Sequence, residues 1–268
     1  MGMTIAEKII ARAAGVESVR PGDIHTVEVD RLMSNDGTTH LTIDMYNTKL
    51  KHPHIADVSK LVWIVDHNVP SDSPKTAASQ KKMRDFAKEH GITFYEGQGV
   101  CHQIMMENHV CPGELIFGAD SHTCAYGALG AFGTGVGCTD YLYAMVTGKS
   151  WVLVPETLRF NLTGKLPEGV YARDLILTII GKIGANGANY KAMEFAGEGL
   201  KTLTMSDRIA SATSVWKPVP RLLLWKWMIL LLIIFMSMAA NRKHALSAMR
   251  MLSLQPLMIL TCLPSLLL

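Results

Sequence analysis

Leu61–Val65 reads Leu-Val-Trp-Ile-Val, five apolar residues without a polar interruption, and it stops abruptly at Asp66-His67. A short run with no alternation is what a strand buried on both faces requires, and such strands belong to parallel sheets covered by helices. Residues 114–118 repeat the pattern and end at Ala119-Asp120-Ser121-His122. Around these two runs the sequence carries helix punctuation. Thr4 followed by Glu7 is a capping box that opens a helix to Ala14, closed by Gly15. Residues 75–90 are polar and helix-forming and are stopped by Gly91; 139–147 and the amphipathic 172–183 complete the helices. Residues 24–32, 92–95, 151–154 and 158–162 read as further strands. Strands alternating with helices predict an α/β fold with a parallel or mixed sheet.

In such sheets, polar residues just past the carboxyl ends of the strands are where ligands bind. Asp66-His67 and Asp120-Ser121-His122 occupy that position, and His102-Gln103 follows the turn Gly97-Gln98-Gly99 after the 92–95 run. One such histidine is more often a satisfied turn residue than a functional one. Three groups, each on a loop after a strand-like run, favour a shared site. The glycine-dense stretch from Gly127 to Gly137 contains no Gly-x-Gly-x-x-Gly and is followed by no phosphate-loop lysine. Close approach of backbone to a ligand or a neighbouring element is the better account of it.

Composition divides the chain. Residues 211–268 contain no Asp, Glu or Gly, and their only charges are Lys217, Arg221, Lys226, Arg242, Lys243 and Arg250. The sequence therefore reads as a 1–210 domain followed by an aberrant apolar tail with no independent fold. The net charge of +3 is small and its lysines and arginines are scattered, which gives no basis for nucleic-acid binding. The five cysteines, Cys101, Cys111, Cys124, Cys138 and Cys262, form no Cys-x-x-Cys and suit a reducing cytoplasm. The first residues show no apolar signal region, so a cytoplasmic location is expected.

Several ordered motifs now carry a resemblance. They are Asp66-His67-Asn68-Val69-Pro70-Ser71, Val100-Cys101-His102-Gln103-Ile104, the stretch from Pro112-Gly113-Glu114 through Asp120-Ser121-His122-Thr123, and Gly130-Ala131-Phe132-Gly133-Thr134-Gly135-Val136-Gly137. Val154-Pro155-Glu156-Thr157, Lys182-Ile183-Gly184-Ala185-Asn186-Gly187-Ala188 and Met205-Ser206-Asp207-Arg208 continue the series. Residues 1 to about 210 resemble the N-terminal half of the aconitase and 3-isopropylmalate dehydratase large-subunit family. The resemblance implies a three-layer α/β/α domain, a [4Fe–4S] cluster and reversible dehydration of a hydroxy di- or tricarboxylic acid. In that chemistry an open iron acts as Lewis acid on the hydroxyl and a protonated histidine as general acid. Carried over, His102 and Asp120 form one imidazole–carboxylate pair, Asp66 and His67 a second, His122 is a further active-site histidine, and Ser121 lies within the motif. Ala125 stands where aconitases have an asparagine, which moves the resemblance towards the isopropylmalate or homoaconitate type. The resemblance also implies a small subunit carrying the catalytic base and the substrate-selecting loop, in a heterodimer or heterotetramer.

After Asp207-Arg208 the family pattern calls for an Asn and then a Glu-Ala-Gly-Ala-like run, whereas this chain has Trp216-Lys217-Pro218-Val219-Pro220. The codons for those five residues, read from their third base, permit Glu-Ala-Gly-Ala. Trp225-Lys226-Trp227-Met228-Ile229 in the same shifted frame gives an acidic segment. A frameshift near codon 210 is therefore the expected origin of the tail. Its rival is a membrane segment over residues 222–240, near the roughly 20 residues a bilayer needs. The family's cluster-ligand cysteines, expected further along, have no match among the five present, so no cysteine is assigned to metal and the chain as written is expected to bind no cluster and to lack dehydratase activity. The substrate expected for the parent enzyme is 3-isopropylmalate, with homoaconitate, citrate or a dimethylmalate as alternatives. A cluster-free RNA-binding relative and a membrane-anchored domain are the rival classes, and the even charge argues against the first.

Overall fold

The computed structural model describes residues 2–51, 53–184 and 186–214, together with the backbone of 232–235. Helix α1 (Ile5–Ala14) starts at the expected capping box: the Thr4 hydroxyl accepts from the Glu7 amide, the Glu7 carboxylate accepts from the Thr4 amide, and Gly15 closes the helix at φ 67°. The 24–32 run, read above as one strand, is two. β1 (Ile24–Glu28) and β2 (Arg31–Asn35) belong to different sheets. The break falls at Asp30, whose carboxylate accepts from Arg12 and from the Leu115 amide and so turns the chain out of one sheet and into another. Helix α2 (Thr39–Lys49) follows β2. β3 (Leu61–Val65) has the expected bounds and is buried at every position. Helix α3 (Pro74–His90) begins at a Ser73 cap with proline in the first turn and ends at Gly91. Then come β4 (Thr93–Glu96), α4 (Cys101–Asn108), β5 (Leu115–Gly118), a 3₁₀ segment over 121–129, β6 (Phe132–Gly135), α5 (Cys138–Thr147) and β7 (Lys149–Leu153).

The central sheet runs β4-β3-β2-β5-β6 with every pair parallel. Its residues alternate between two cores, as the pleat dictates. Leu32, Leu61, Trp63, Val65, Leu115 and Phe117 pack with residues of α1, α2, α3 and α5. Met33, Val62, Ile64 and Ile116 pack with α4 and with Tyr126 and Leu129 of the 3₁₀ segment. The expected three-layer α/β/α arrangement is therefore present. β7 folds back antiparallel on β1, which makes the whole mixed.

A second unit follows: β8 (Glu156–Asn161), α6 (Ala172–Ile183), β9 (Lys191–Ala196) and α7 (Met205–Ser214), with β8 parallel to β9. Ile176, Ile179, Met193, Phe195 and Ala212 form its core. The backbone of β10 (Leu232–Phe235) lies parallel to β9. Of the tail read as frameshifted or membrane-spanning, residues 211–214 complete α7 and 232–235 form β10, and the remaining residues lie outside the described ones. Among the described residues no helix is long and apolar enough to cross a membrane.

The glycine-rich stretch behaves as a close-approach element. A Cβ on Gly133 would sit 2.2 Å from the Thr123 carbonyl oxygen, and one on Gly135 would sit 2.6 Å from that of Asp120. β6 can lie against the 3₁₀ segment only where side chains are missing. That contact holds the Asp120 backbone in place.

Candidate active site

All five strands of the parallel sheet present their carboxyl ends on one side, and the site is built there. β3 ends at Asp66-His67, and β5 ends at Asp120. These two strands are not neighbours; β2 lies between them and ends at Asn35-Asp36. Loop 97–100 after β4 leads into α4, which places His102 in that helix's first turn. The sequence reading put His102 on a loop; the structure places it on a helix, where its ring is fixed more firmly.

Asp120 is the centre of the cluster. It caps the 3₁₀ segment, its Oδ1 accepting from the His122 amide at 2.7 Å. The same oxygen meets His102 Nε2 at 2.8 Å, and His122 Nδ1 lies 3.5 Å away. On the other side, Oδ2 accepts from Asn35 Nδ2 at 3.1 Å and faces His67 Nε2 at 3.6 Å. Three histidines predicted from three separate motifs thus surround one carboxylate. Burial works against the Asp120 charge, but the contacts with His102, His122 and His67 outweigh it and hold the carboxyl well below the usual carboxylate range.

His102 is mostly buried. A carboxylate can only accept, so His102 Nε2 carries the proton it gives to Asp120. Nδ1 lies 3.1 Å from the Tyr126 hydroxyl, which fixes the other edge of the ring. Tyr126 is fully buried, and burial pushes its hydroxyl well up, so it remains a donor. His67 differs. Its Nδ1 lies 2.7 Å from Asp66 Oδ1 while Nε2 faces Asp120, and its side chain is 46% exposed. The Asp120 carboxylate facing Nε2, and then the bonded Asp66, raise it to about 10, against an ordinary 6.5. At neutral pH it is an imidazolium facing solvent. Asp66 is buried, and its contact with His67 and the bond it accepts from the Cys101 amide at 2.6 Å outweigh that burial and lower it. Ser121 is close to His122, with Oγ 3.3 Å from Nδ1.

All six residues singled out from the sequence therefore lie in this cluster, and sequence reasoning missed three others. Asn35 and Asp36 were hidden because β2 was merged with β1, which put its end at Leu32. Tyr126 sits in a segment whose glycines gave no helix signal. Reading a strand that ends at Asn35-Asp36 would have supplied one more polar pair at a strand's carboxyl end.

The donor atoms of His102, Asp120 and His122 lie within 4.8 Å of one another, and so do those of Asp36, Asp66 and His67. In both groups an imidazole–carboxylate hydrogen bond already uses atoms a cation would need. Cysteine takes no part in either group. The buried Cys101 and Cys124 thiols are pushed up, the latter to about 12, chiefly by burial, and Cys138 is raised for the same reason. Cluster ligation needs thiolates. Among the described residues no cysteine lies in a group of ligand atoms close enough to share one metal centre, so they assemble no [4Fe–4S] ligand set there.

Comparison with known proteins adds the following. A sequence model of the Aconitase family (aconitate hydratase) matches residues 7–213. The chain is 49% identical over 212 residues to the probable 3-isopropylmalate dehydratase large subunit of Methanothermobacter thermautotrophicus, an alignment covering 78% of this chain and 50% of the relative. It is 51% identical over 216 residues to the 3-isopropylmalate dehydratase large subunit of Syntrophus aciditrophicus, covering 79% and 51%. The protein of that name from Aquifex aeolicus is 47% identical over 215 residues, covering 79% and 50%. The chain spans about half the length of the curated relatives it matches.

Proposed function

The chain belongs to the aconitase family, and on that premise we propose that it is the acid–base portion of a hydro-lyase large subunit acting on 3-isopropylmalate. The observation that carries the proposal is the gathering of His67, His102 and His122 around Asp120 at the carboxyl ends of the sheet. Removing water from a hydroxy acid requires a proton delivered to a departing hydroxide. His67, charged at neutral pH and open to solvent, holds that proton at Nε2. Asp66 orients it through Nδ1. His102, locked between Asp120 and Tyr126, positions Asp120 and does not deliver a proton to solvent. His122 lies beside Asp120 with Ser121 against it, and both suit contact with substrate oxygens.

The family implies a [4Fe–4S] cluster. Because the described cysteines do not assemble its thiolates, we assign the ligands to the family's own continuation, which residues 211–268 replace. The large-subunit name of the relatives supports a small-subunit partner for this chain, and to that partner we assign the catalytic base and the substrate-selecting loop. We place the enzyme in the cytoplasm and read residues 211–268 as a frameshifted replacement for the family's own continuation, since the family match ends at residue 213.

The test is a chimera. Residues 1–210 of this chain replace the matching half of the Methanothermobacter large subunit, which is then reconstituted with iron and sulfide and with its small subunit. Loss of water from 3-isopropylmalate, followed by absorbance of the unsaturated product, is the expected result. A cluster-loaded, assembled chimera that dehydrates citrate or homoaconitate but not 3-isopropylmalate, while the parent large subunit with the same small subunit dehydrates 3-isopropylmalate, would overturn the substrate. One that dehydrates none of them would overturn the function.

A further inference from the structure

The end of β2 holds a second carboxylate that the acid–base scheme leaves unused. The Asp36 side chain is 2% exposed. Its Oδ1 accepts from the Asp66 amide at 3.1 Å and from the His67 amide at 3.0 Å. Its Oδ2 accepts from the Asn68 amide at 3.0 Å, from Asn68 Nδ2 at 3.3 Å and from Gln80 Nε2 at 3.3 Å. Three successive amides of the loop after β3 thus converge on one buried anion. Burial opposes the charge, but the His67, Asp66 and Asn68 amides overcome it and lower the carboxyl. Gln80, on α3, also donates to the Asn68 carbonyl at 2.7 Å and so ties the same loop to a helix.

We propose that Asp36 is a positioning residue: by gripping the backbone of residues 66–68 from the neighbouring strand, it sets His67 at its distance from Asp120. The proposal rests on reading His67 as an acid–base group of the site. β3 and β5 are separated by β2, so the gap between Asp66-His67 and Asp120 must be fixed by the strand between them. The two residues at that strand's end divide the work. Asn35 holds Asp120 on one side, and Asp36 holds the 66–68 loop on the other. No other side chain among the described residues bonds to all three of those amides. The ionisable groups that face His67 are Asp66 and Asp36 from its own side and Asp120 across the gap. His40 of α2 reaches the Asp36 carbonyl.

The experiment measures the His67 ring titration by NMR in the full 268-residue chain, so it does not depend on turnover. Asp36→Asn keeps the shape but turns a donor towards the Asn68 amide. The expected result is a fall of more than one pH unit in the His67 midpoint, from about 10 towards 6.5, with faster amide exchange at 66–68. Glu114→Gln is the structural control, since Glu114 joins β2 and β5 at the opposite end of the sheet. It is expected to leave the midpoint in place. If Asp36→Asn does not fold, Gln80→Met, which removes one of the five donors, is expected to give a smaller fall in the same direction. An unchanged midpoint in the folded Asp36 or Gln80 variant, or an equal fall in the Glu114 variant, overturns the proposal. If His67 responds as stated while the chimera fails to dehydrate any hydroxy acid, the positioning role stands and the hydro-lyase reading falls.

Discussion

The two ends of the parallel sheet solve the same electrostatic problem with different partners. At the amino ends, Asp30 pairs with Arg12, and Glu114 pairs with Arg31 at 3.2 Å. At the carboxyl ends, Asp66 and Asp120 pair with histidines, and Asp36 is bound by amides. A guanidinium does not give up its proton in a protein, so the amino-end pairs can only tie strands together. An imidazole can release a proton, so the carboxyl-end pairs can exchange one. Charge balance differs as well. Burial pushes Glu114 up, and Arg31 with the Cys111 amide only partly offsets it. Asp120 is also mostly buried, yet its three histidines carry it down. The end with the better-satisfied carboxylates is the end to which we assign the proposed acid–base chemistry.

The largest effect that would break this contrast is on turnover. Asp120→Ala in the assembled chimera removes the shared partner of three histidines and is expected to lower kcat by about 10² to 10⁴, read in the dehydration assay. A loss under tenfold would reduce Asp120 to a structural cap.

At the other end the expected effects are on stability alone. Arg31→Leu leaves Glu114 without its ion-pair partner and is expected to cost about 3 kcal/mol in urea unfolding. The double variant Arg31→Leu/Glu114→Leu should recover most of that loss, because burying the Glu114 charge is itself unfavourable here. Neither change is expected to alter the pH profile of the chimera, and a shifted profile would erase the distinction between the two ends.

The smallest expected effect is in the pH dependence of stability. His67 is raised, so its contribution is fully present below about 6.5 and is lost as pH rises through about 10. Asp36, Asp66 and Asp120 are lowered, so theirs are present above the ordinary carboxylate value, about 3.9, and are lost as pH falls below it. Stability is therefore expected to peak between about pH 4 and 6.5. His67→Gln should flatten the decline between pH 7 and 10 in a series of urea midpoints.

How much of this was legible follows from the strength of local signals. β3, α1, α3 and α6 were readable because each has an unbroken apolar run, a clear periodicity or a capping pair. β1 and β2 merged because Glu28-Val29-Asp30 carries the apolar–polar alternation straight across the break, and the turn is made by distant Arg12 and Leu115. α2 was missed because its residues show no apolar stripe. β6 was missed because two of its four residues are glycines needed for contact with the 3₁₀ segment. Of the site, the histidines and their carboxylates were visible as motifs. Their convergence on Asp120, and the roles of Asn35, Asp36 and Tyr126, depend on strand order, which no local pattern encodes.

Asp120 is the common partner of three histidines, and the His67 ring titration in wild type and in Asp120→Asn reads that partnership out. A midpoint near 10 is expected in the wild type, with a fall towards 6.5 in the variant and altered ring signals of His102 and His122 in the same spectra. A His67 midpoint that stays near 10 in the folded variant, with the His102 and His122 signals unmoved, would contradict it.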